Sequence, residues 1–372
     1  MFSPVFQKLQ AVGARPSASS KEKEFLTWLM EALKGLSLQV SLDEFRAPST
    51  YTWSQIVLWG GLIQAGFLLR LWPWWSLCSA LVFLFLEYRE LATFPLTSIF
   101  FSRNVSHNVV GKKGDSPCFI LMAHVDSART SFFFHPHLVV SPRHSLLLLV
   151  VSSCAIPGVA LLGCAGGTRF AWLSFPFSLY LSFLILGHVH RELGMPLSPG
   201  GNDNGSGVAV ALELARLLAD GDISFWVVFT GAEESGTWGA LQFMKQYAST
   251  IRDIPIINLD NVGGGTITVA THEGMWPTYA APPRLVSSFR KLEVPFPVHF
   301  RPYLGLSTDA TPLLARGFQA ITIIALDEKG IPVNWHWAND SIEAVDTDNL
   351  ERVVSLVMRW VEEKRNECFR ES

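Results

Sequence analysis

A series of short motifs in this sequence carries side chains that could hold a cation or move a proton. They are His124-Val125-Asp126, Asp203 within Gly201-Asn202-Asp203-Asn204-Gly205, the adjacent pair Glu233-Glu234, Asp260, and His336. Two imidazoles and several carboxylates gathered in one place repel one another unless a cation lies among them. The donor set is nitrogen and oxygen without thiolate, which suits Zn2+, with Co2+ or Mn2+ as weaker candidates. Two histidines and three carboxylates are too many for one tetrahedral ion that keeps a position open for water. They suffice for two ions sharing a bridging carboxylate. Such a centre hydrolyses bonds with a metal-activated water, provided a carboxylate that is not a ligand stands by as general base.

Most of these motifs sit where a strand would end. Residues 118–123 (CFILMA) read as a buried central strand running into His124, and residues 225–230 (FWVVFT) run into Gly231-Ala232-Glu233-Glu234. Residues 254–259 end at Asp260, and residues 320–325 (AITIIA) precede the segment that reaches His336. Residues 38–45 and 107–111 read as further strands, while helical spacing covers 20–36, 208–218, 239–247 and 350–361, the last opening on a capping box of Asp348 and Glu351. Strands buried on both faces and alternating with helices predict an α/β fold, a mostly parallel (mixed) sheet flanked by helices. Ligands bind such a sheet beyond the carboxyl ends of its strands. Asp203 lies just ahead of a helix that starts near Ser206, where glycines allow close backbone approach and the helix N-terminus favours an anion.

In this order the motifs resemble the co-catalytic zinc metallopeptidases, a family that includes bacterial leucyl aminopeptidases, glutamate carboxypeptidase-like enzymes and glutaminyl cyclases. The resemblance runs over residues 1–50 and 100–372 and includes Asp340 after His336. It implies two zinc ions bridged by Asp203, one completed by Glu234 and His336 and the other by His124 and Asp260. It also implies that Glu233 is the general base and that Asp126 is the carboxylate orienting the His124 imidazole. Ser307-Thr308-Asp309 resembles a family segment near the substrate pocket, with Thr308 inserted.

Composition adds a membrane. Hydrophobic residues make up 49% and charged residues 16%, against about 25% charged in soluble domains. The excess lies in uncharged runs at residues 53–69, 71–86, 145–168 and 170–187. These predict two transmembrane hairpins, 53–86 and 145–187, with about four spans in total. Gly163 and Gly167 are spaced for close helix packing. Each hairpin returns the chain to the side it left, so residues 1–52, 87–144 and 188–372 would form one zinc-peptidase-like α/β domain. The lack of a secretory signal or dense cysteine framework leans its placement towards the cytoplasm. A net charge of −3 offers no footprint for nucleic acid.

The expected function is therefore a membrane-embedded zinc-dependent exopeptidase, an aminopeptidase, whose partners are a peptide substrate and the lipid bilayer. Spans beside the cleft suggest hydrophobic or membrane-delivered substrates. The alternatives are a glutaminyl-peptide cyclotransferase using one zinc and a non-catalytic peptidase-like scaffold in the membrane. The pairs His135/His137 and His188/His190 flank apolar runs and are expected to be interfacial, and His272-Glu273 is expected to be structural.

Overall fold

The run CFILMA becomes a strand buried on both faces, and the architecture is built around it. The structure is a computed structural model describing residues 1–136 and 141–371, with side chains as far as residue 365. In chain order its first elements are α1 (Ser3–Val12), α2 (Ser20–Lys34), β1 (Gln39–Ala47), α3 (Thr52–Leu68), α4 (Pro73–Leu91), β2 (Asn104–Lys113), β3 (Phe119–His124), α5 (Pro142–Gly166) and α6 (Phe175–Gly194). There follow α7 (Gly207–Leu218), β4 (Phe225–Thr230), α8 (Trp238–Ile251), β5 (Ile256–Asp260), β6 (Thr266–Gly274), β7 (Tyr279–Ala280), α9 (Pro283–Arg290), β8 (His299–Leu304), α10 (Ala310–Leu314), β9 (Ala320–Leu326) and α11 (Thr347–Glu371).

The strands form one sheet in the order β1-β2-β4-β3-β5-β9-β6-β7, with β8 paired to β6. Its centre, β4-β3-β5-β9, is parallel, and the flanks add antiparallel pairs, so the sheet is mixed. On β3, Phe119, Leu121 and Ala123 pack against α1, α2, α7 and α11, while Ile120 and Met122 pack against α8 and α10. Alternate side chains of a strand face opposite ways, so a strand covered on both sides has no polar position until it ends. The polar side chain that closes β3 is His124.

One local expectation is corrected. Helix α11 starts at Thr347 and is capped by Asp346, whose Oδ1 accepts the N–H groups of Asp348 (3.0 Å) and Asn349 (3.3 Å). The acceptor that reaches the N–H groups two and three residues ahead is the cap, and Asp348 is already inside the helix.

Helices α3, α4, α5 and α6 pack on one another as a bundle outside the sheet. They overrun the expected domain boundaries: α4 continues to Leu91, α5 begins at Pro142 and α6 ends at Gly194. Gly163 lies in a tight approach, since a Cβ there would sit 2.3 Å from Leu69 Cδ1, whereas Gly167 has φ +86° and nothing within 4 Å. Gly167 thus ends α5 and takes no part in helix packing. Among the described residues two segments are long and apolar enough to cross a membrane, Pro142–Gly166 and Thr168–Gly194. The expected four spans reduce to two on this criterion. Helix α3 has 17 residues, and the apolar run of α4 closes on Glu87, Arg89 and Glu90. Both fall short of the roughly 20 apolar residues that cross a bilayer core.

Candidate metal centre

The sheet register explains why distant residues meet. Strands β3 and β5 are parallel neighbours, with Met122 beside Asn258. Two residues further along each strand, on the same face, come His124 and Asp260. Their side chains approach to 3.8 Å, Nε2 to Oδ1. On the other side of β3, β4 places Thr230 beside His124. The chain then passes through Ala232, at φ 53°, and delivers Glu233 and Glu234 to the rim. Asp203 arrives on the irregular turn Gly201–Ser206 ahead of α7, and His336 on the loop after β9, again with positive φ (51°). Left-handed conformations at non-glycine residues are unfavourable and persist where the surroundings impose them, as at binding sites.

Asp203 lies between the two histidines. Its Oδ1 is 3.3 Å from His124 Nε2 and its Oδ2 is 3.3 Å from His336 Nε2, which is itself 3.1 Å from Glu234 Oε2. The structure therefore gathers two triads that share one residue, His124-Asp203-Asp260 and Asp203-Glu234-His336. These separations fit zinc. A tetrahedral ion with ligands at about 2.05 Å sets neighbouring ligand atoms roughly 3.3 Å apart, and the four quoted separations bracket that figure. Asp203 Oδ2 and Glu234 Oε1 are also buried without a hydrogen-bond partner, which a metal ion would remedy. Burial works against charging His336, yet Glu234 and Asp203 push it up to about 9. His124 is raised as well against its burial, by Asp126, Asp203 and Asp260. The site thus attracts positive charge strongly, which a divalent ion held by these side chains would supply while leaving the imidazoles neutral.

A second layer of groups holds these side chains in place. His124 Nδ1 lies 3.1 Å from the main-chain oxygen of Asp126 and 3.5 Å from its carboxylate. The carboxylate itself accepts the N–H groups of Glu233 and Glu234, both at 3.0 Å, and the Ser17 hydroxyl at 2.6 Å. Asp126 therefore fixes the glutamate pair as much as the imidazole. Asp340 does the same for the Asp203 turn, accepting from the N–H groups of Asn202 (2.6 Å) and Asp203 (3.1 Å). Asp126→Ala is expected to destabilise the protein by about 3 kcal/mol, because two buried N–H groups lose their acceptor. Denaturant unfolding measures this, and a change under about 1 kcal/mol would rule the bracing role out.

Sequence reasoning missed several supports. Arg15, fully buried, donates to the carbonyls of Val125 (2.8 Å), Pro199 (3.1 Å) and Gly200 (2.9 Å), tying the His124 and Asp203 loops together. Glu22 on α2 accepts the Ala232 N–H at 2.8 Å and is pushed by burial up to about 8. Arg15, Ser17 and Glu22 come from far upstream, and no local signal marks them. The tight turn also depends on glycine: Gly200 has φ +68°, and a Cβ there would sit 2.5 Å from that of Ser127.

A cavity opens in front of both triads, lined by Glu233, Tyr303, Ser307 and Trp335. Trp335 stacks on His336 (4.2 Å between centroids), and Phe134 meets that ring edge-on at 4.9 Å, so apolar surface covers one side of the centre. Trp337 instead packs on His135. Asp309 lies fully buried with its Oδ2 bonded to the Thr230 hydroxyl, and burial pushes it up to about 7. His272 is exposed, and Glu273 is buried among the hydroxyls of Thr308 and Thr311, so neither joins the centre. His188 packs against Trp59 in the bundle and His190 against Phe132, while His137 lies outside the described residues.

The profile of Peptidase family M28 matches residues 182–361. Aminopeptidase YwaD of Bacillus subtilis (strain 168) is 30% identical over 186 residues, 45% of this chain and 38% of that protein. A probable zinc metalloprotease of Pyricularia oryzae is 36% identical over 72 residues, 18% of this chain and 14% of that protein. The chain thus spans well under half the length of these relatives. Among solved structures, the zinc aminopeptidase BSAP from Bacillus subtilis superposes with a TM-score of 0.57 at 15% identity, covering 97% of this chain and 93% of that one. Porphyromonas gingivalis glutaminyl cyclase gives 0.55 at 16% identity, covering 98% and 96%. These two likenesses show the mixed α/β fold. Residues 182–361 of this chain are in turn similar to Peptidase family M28.

Proposed function

We propose that this chain is a zinc-dependent exopeptidase of the aminopeptidase type, with Asp203 shared between two ions. The observation that carries this reading is the position of Asp203, whose two oxygens face different histidines, each completed by its own carboxylate, with Glu233 left outside both triads. Zinc held there supplies Lewis acidity to a carbonyl and to water. Glu233 accepts a proton from the attacking water on its carboxylate and hands it to the leaving amine. Asp126 keeps Glu233 and Glu234 in place through their N–H groups. Trp335 and Phe134 limit water at the His336 side. Purified protein is expected to hold about two zinc ions per chain and to release residues from a free N-terminus. A blocked N-terminus cleaved equally fast would exclude the aminopeptidase form.

The one-zinc cyclase reading needs only Asp203, Glu234 and His336. It leaves unexplained why His124 and Asp260 are in register and buried beside Asp203. A glutamine-peptide cyclisation assay separates the two.

We further propose that the bundle lies in a bilayer, with α5 and α6 spanning it and α3 and α4 packed on them. Large apolar side chains cover its outside, including Phe67, Trp75, Leu161 and Leu186, each more than half exposed. A water-facing surface of that kind would be an aggregation hazard.

A further inference from the structure

The cavity in front of the metal ligands continues past the sheet. It encloses about 630 Å³ and runs on between the bundle helices, where Trp59 of α3, Leu149 of α5, and Tyr180 and Leu184 of α6 wall it. Its lining on α6 extends from His188 back to Tyr180, roughly 12 Å at 1.5 Å per residue. One molecule can therefore reach from the carboxylates of the rim into the apolar interior of the bundle.

Several of the polar groups that line the cavity towards the bundle are already engaged. The Ser54 hydroxyl donates to the Tyr51 carbonyl, the Ser145 hydroxyl to the Ser141 carbonyl, and the Trp59 indole N–H to Glu87, while His188 Nδ1 pairs with the Leu184 carbonyl. A peptide backbone entering here would bring N–H and C=O groups that need partners. A hydrocarbon chain needs none and gains from every methylene buried.

We propose that this centre acts on amides in which one arm is a long unbranched alkyl chain, held in the bundle while the scissile amide lies beside Glu233 and the metal ligands. The inference rests on the hydrolase reading and adds its substrate class. The reaction breaks the C–N bond with one water, leaves a carboxylic acid and an amine, and needs no other reactant. The chain could sit on the carbonyl side, as in a fatty acyl amide, or on the nitrogen side, as in an alkylamine amide.

The test uses the full chain, zinc-loaded, in bilayer nanodiscs. Two substrate series with a free α-amino group are compared, 2-aminoacyl-glycines from alanyl to 2-aminohexadecanoyl and glycine amides of alkylamines from ethyl to tetradecyl. In one series kcat/KM is expected to rise about fourfold per added methylene until the inner cavity is filled, and the series that rises identifies the side carrying the chain. Leu149→Trp and Leu184→Trp, which narrow the inner cavity, are expected to lower the long-to-short ratio at least about tenfold; equal losses on both lengths count against the proposal. Binding is read apart from turnover with zinc-loaded Glu233→Gln, which is expected to bind the long member of the rising series at least about a hundredfold more tightly than its short member. Hydrolysis of peptides with no chain-length dependence in either series overturns the alkyl-chain assignment and leaves the hydrolase reading standing. Tight long-chain binding with no hydrolysis of any amide sinks the hydrolase reading and supports the chain site.

Discussion

Glu233→Gln is expected to lower kcat on a cleavable substrate by a factor on the order of 10²–10⁴ while zinc content and thermal midpoint stay near those of the unaltered protein. The two effects separate because Glu233 belongs to neither triad, whereas its neighbour Glu234 lies 3.1 Å from His336. Burial pushes the Glu233 carboxyl well above the usual carboxylate range; His124 opposes this, and Glu234, Asp309 and Asp260 add to it. A carboxylate desolvated in this way is a stronger base than one in water, and cations placed beside it restore its charge. Glutamine keeps the side-chain volume and cannot take the proton. The N–H that Glu233 donates to Asp126 belongs to the backbone and survives the substitution. Single-turnover kinetics with metal analysis on the same sample distinguishes a lost base from a lost ligand. If zinc fell together with rate, Glu233 would be a ligand and the assignment of the pair would have to be exchanged.

Those two glutamates stand out in the sequence because the strand before them leaves no doubt. FWVVFT is apolar on both faces, so the first carboxylates after it must lie at the sheet's edge. His124 and Asp260 are legible for the same reason, and their pairing follows once β3 and β5 are known to be parallel neighbours in register. The sequence offers no comparable handle on contacts between distant segments. Arg15 meets Val125 across 110 positions and Gly200 across 185, and nothing near Arg15 in the chain distinguishes it from a surface arginine. Asp126 was legible as a group near His124, but its grip on two N–H groups more than a hundred residues downstream depends on how the Glu233 loop folds back. The apolar runs announced helices correctly. Their lengths overstated the number of candidate spans, because α3 is short and α4 ends in charges. That the cavity in front of the two triads enters the bundle could not be read at all, since its walls come from helices separated in sequence, among them α3, α5 and α6.

Asp203→Asn is expected to remove both ions, whereas His336→Ala should remove only the one it shares with Glu234. The asymmetry follows from Asp203 facing one histidine with each oxygen, so that losing its charge weakens both triads at once. In the unaltered protein, a metal present at about a thousand times its dissociation constant adds about 4 kcal/mol of stability, which a strong chelator takes away. The gap between loaded and chelated protein should widen between about pH 6.5 and 9. In the metal-free protein, His336 has its folded value raised from 6.5 to about 9. A raised value contributes stability that is present below pH 6.5 and is lost as pH climbs through 9. Asp309 and Asp340, both pushed by burial up to about 7, act in the same direction on the lower part of that range. Metal binding runs the other way, because imidazole and carboxylate must shed protons to become ligands, so alkaline pH strengthens it. Thermal melts at a series of pH values, with and without chelator, measure both trends together. If the two curves stayed parallel across that range, protons and metal would not be competing for these side chains, and the shared-carboxylate centre would have to be abandoned. Under the same conditions Asp203→Asn should melt alike with and without chelator, and His336→Ala should retain a reduced response carried by His124 and Asp260.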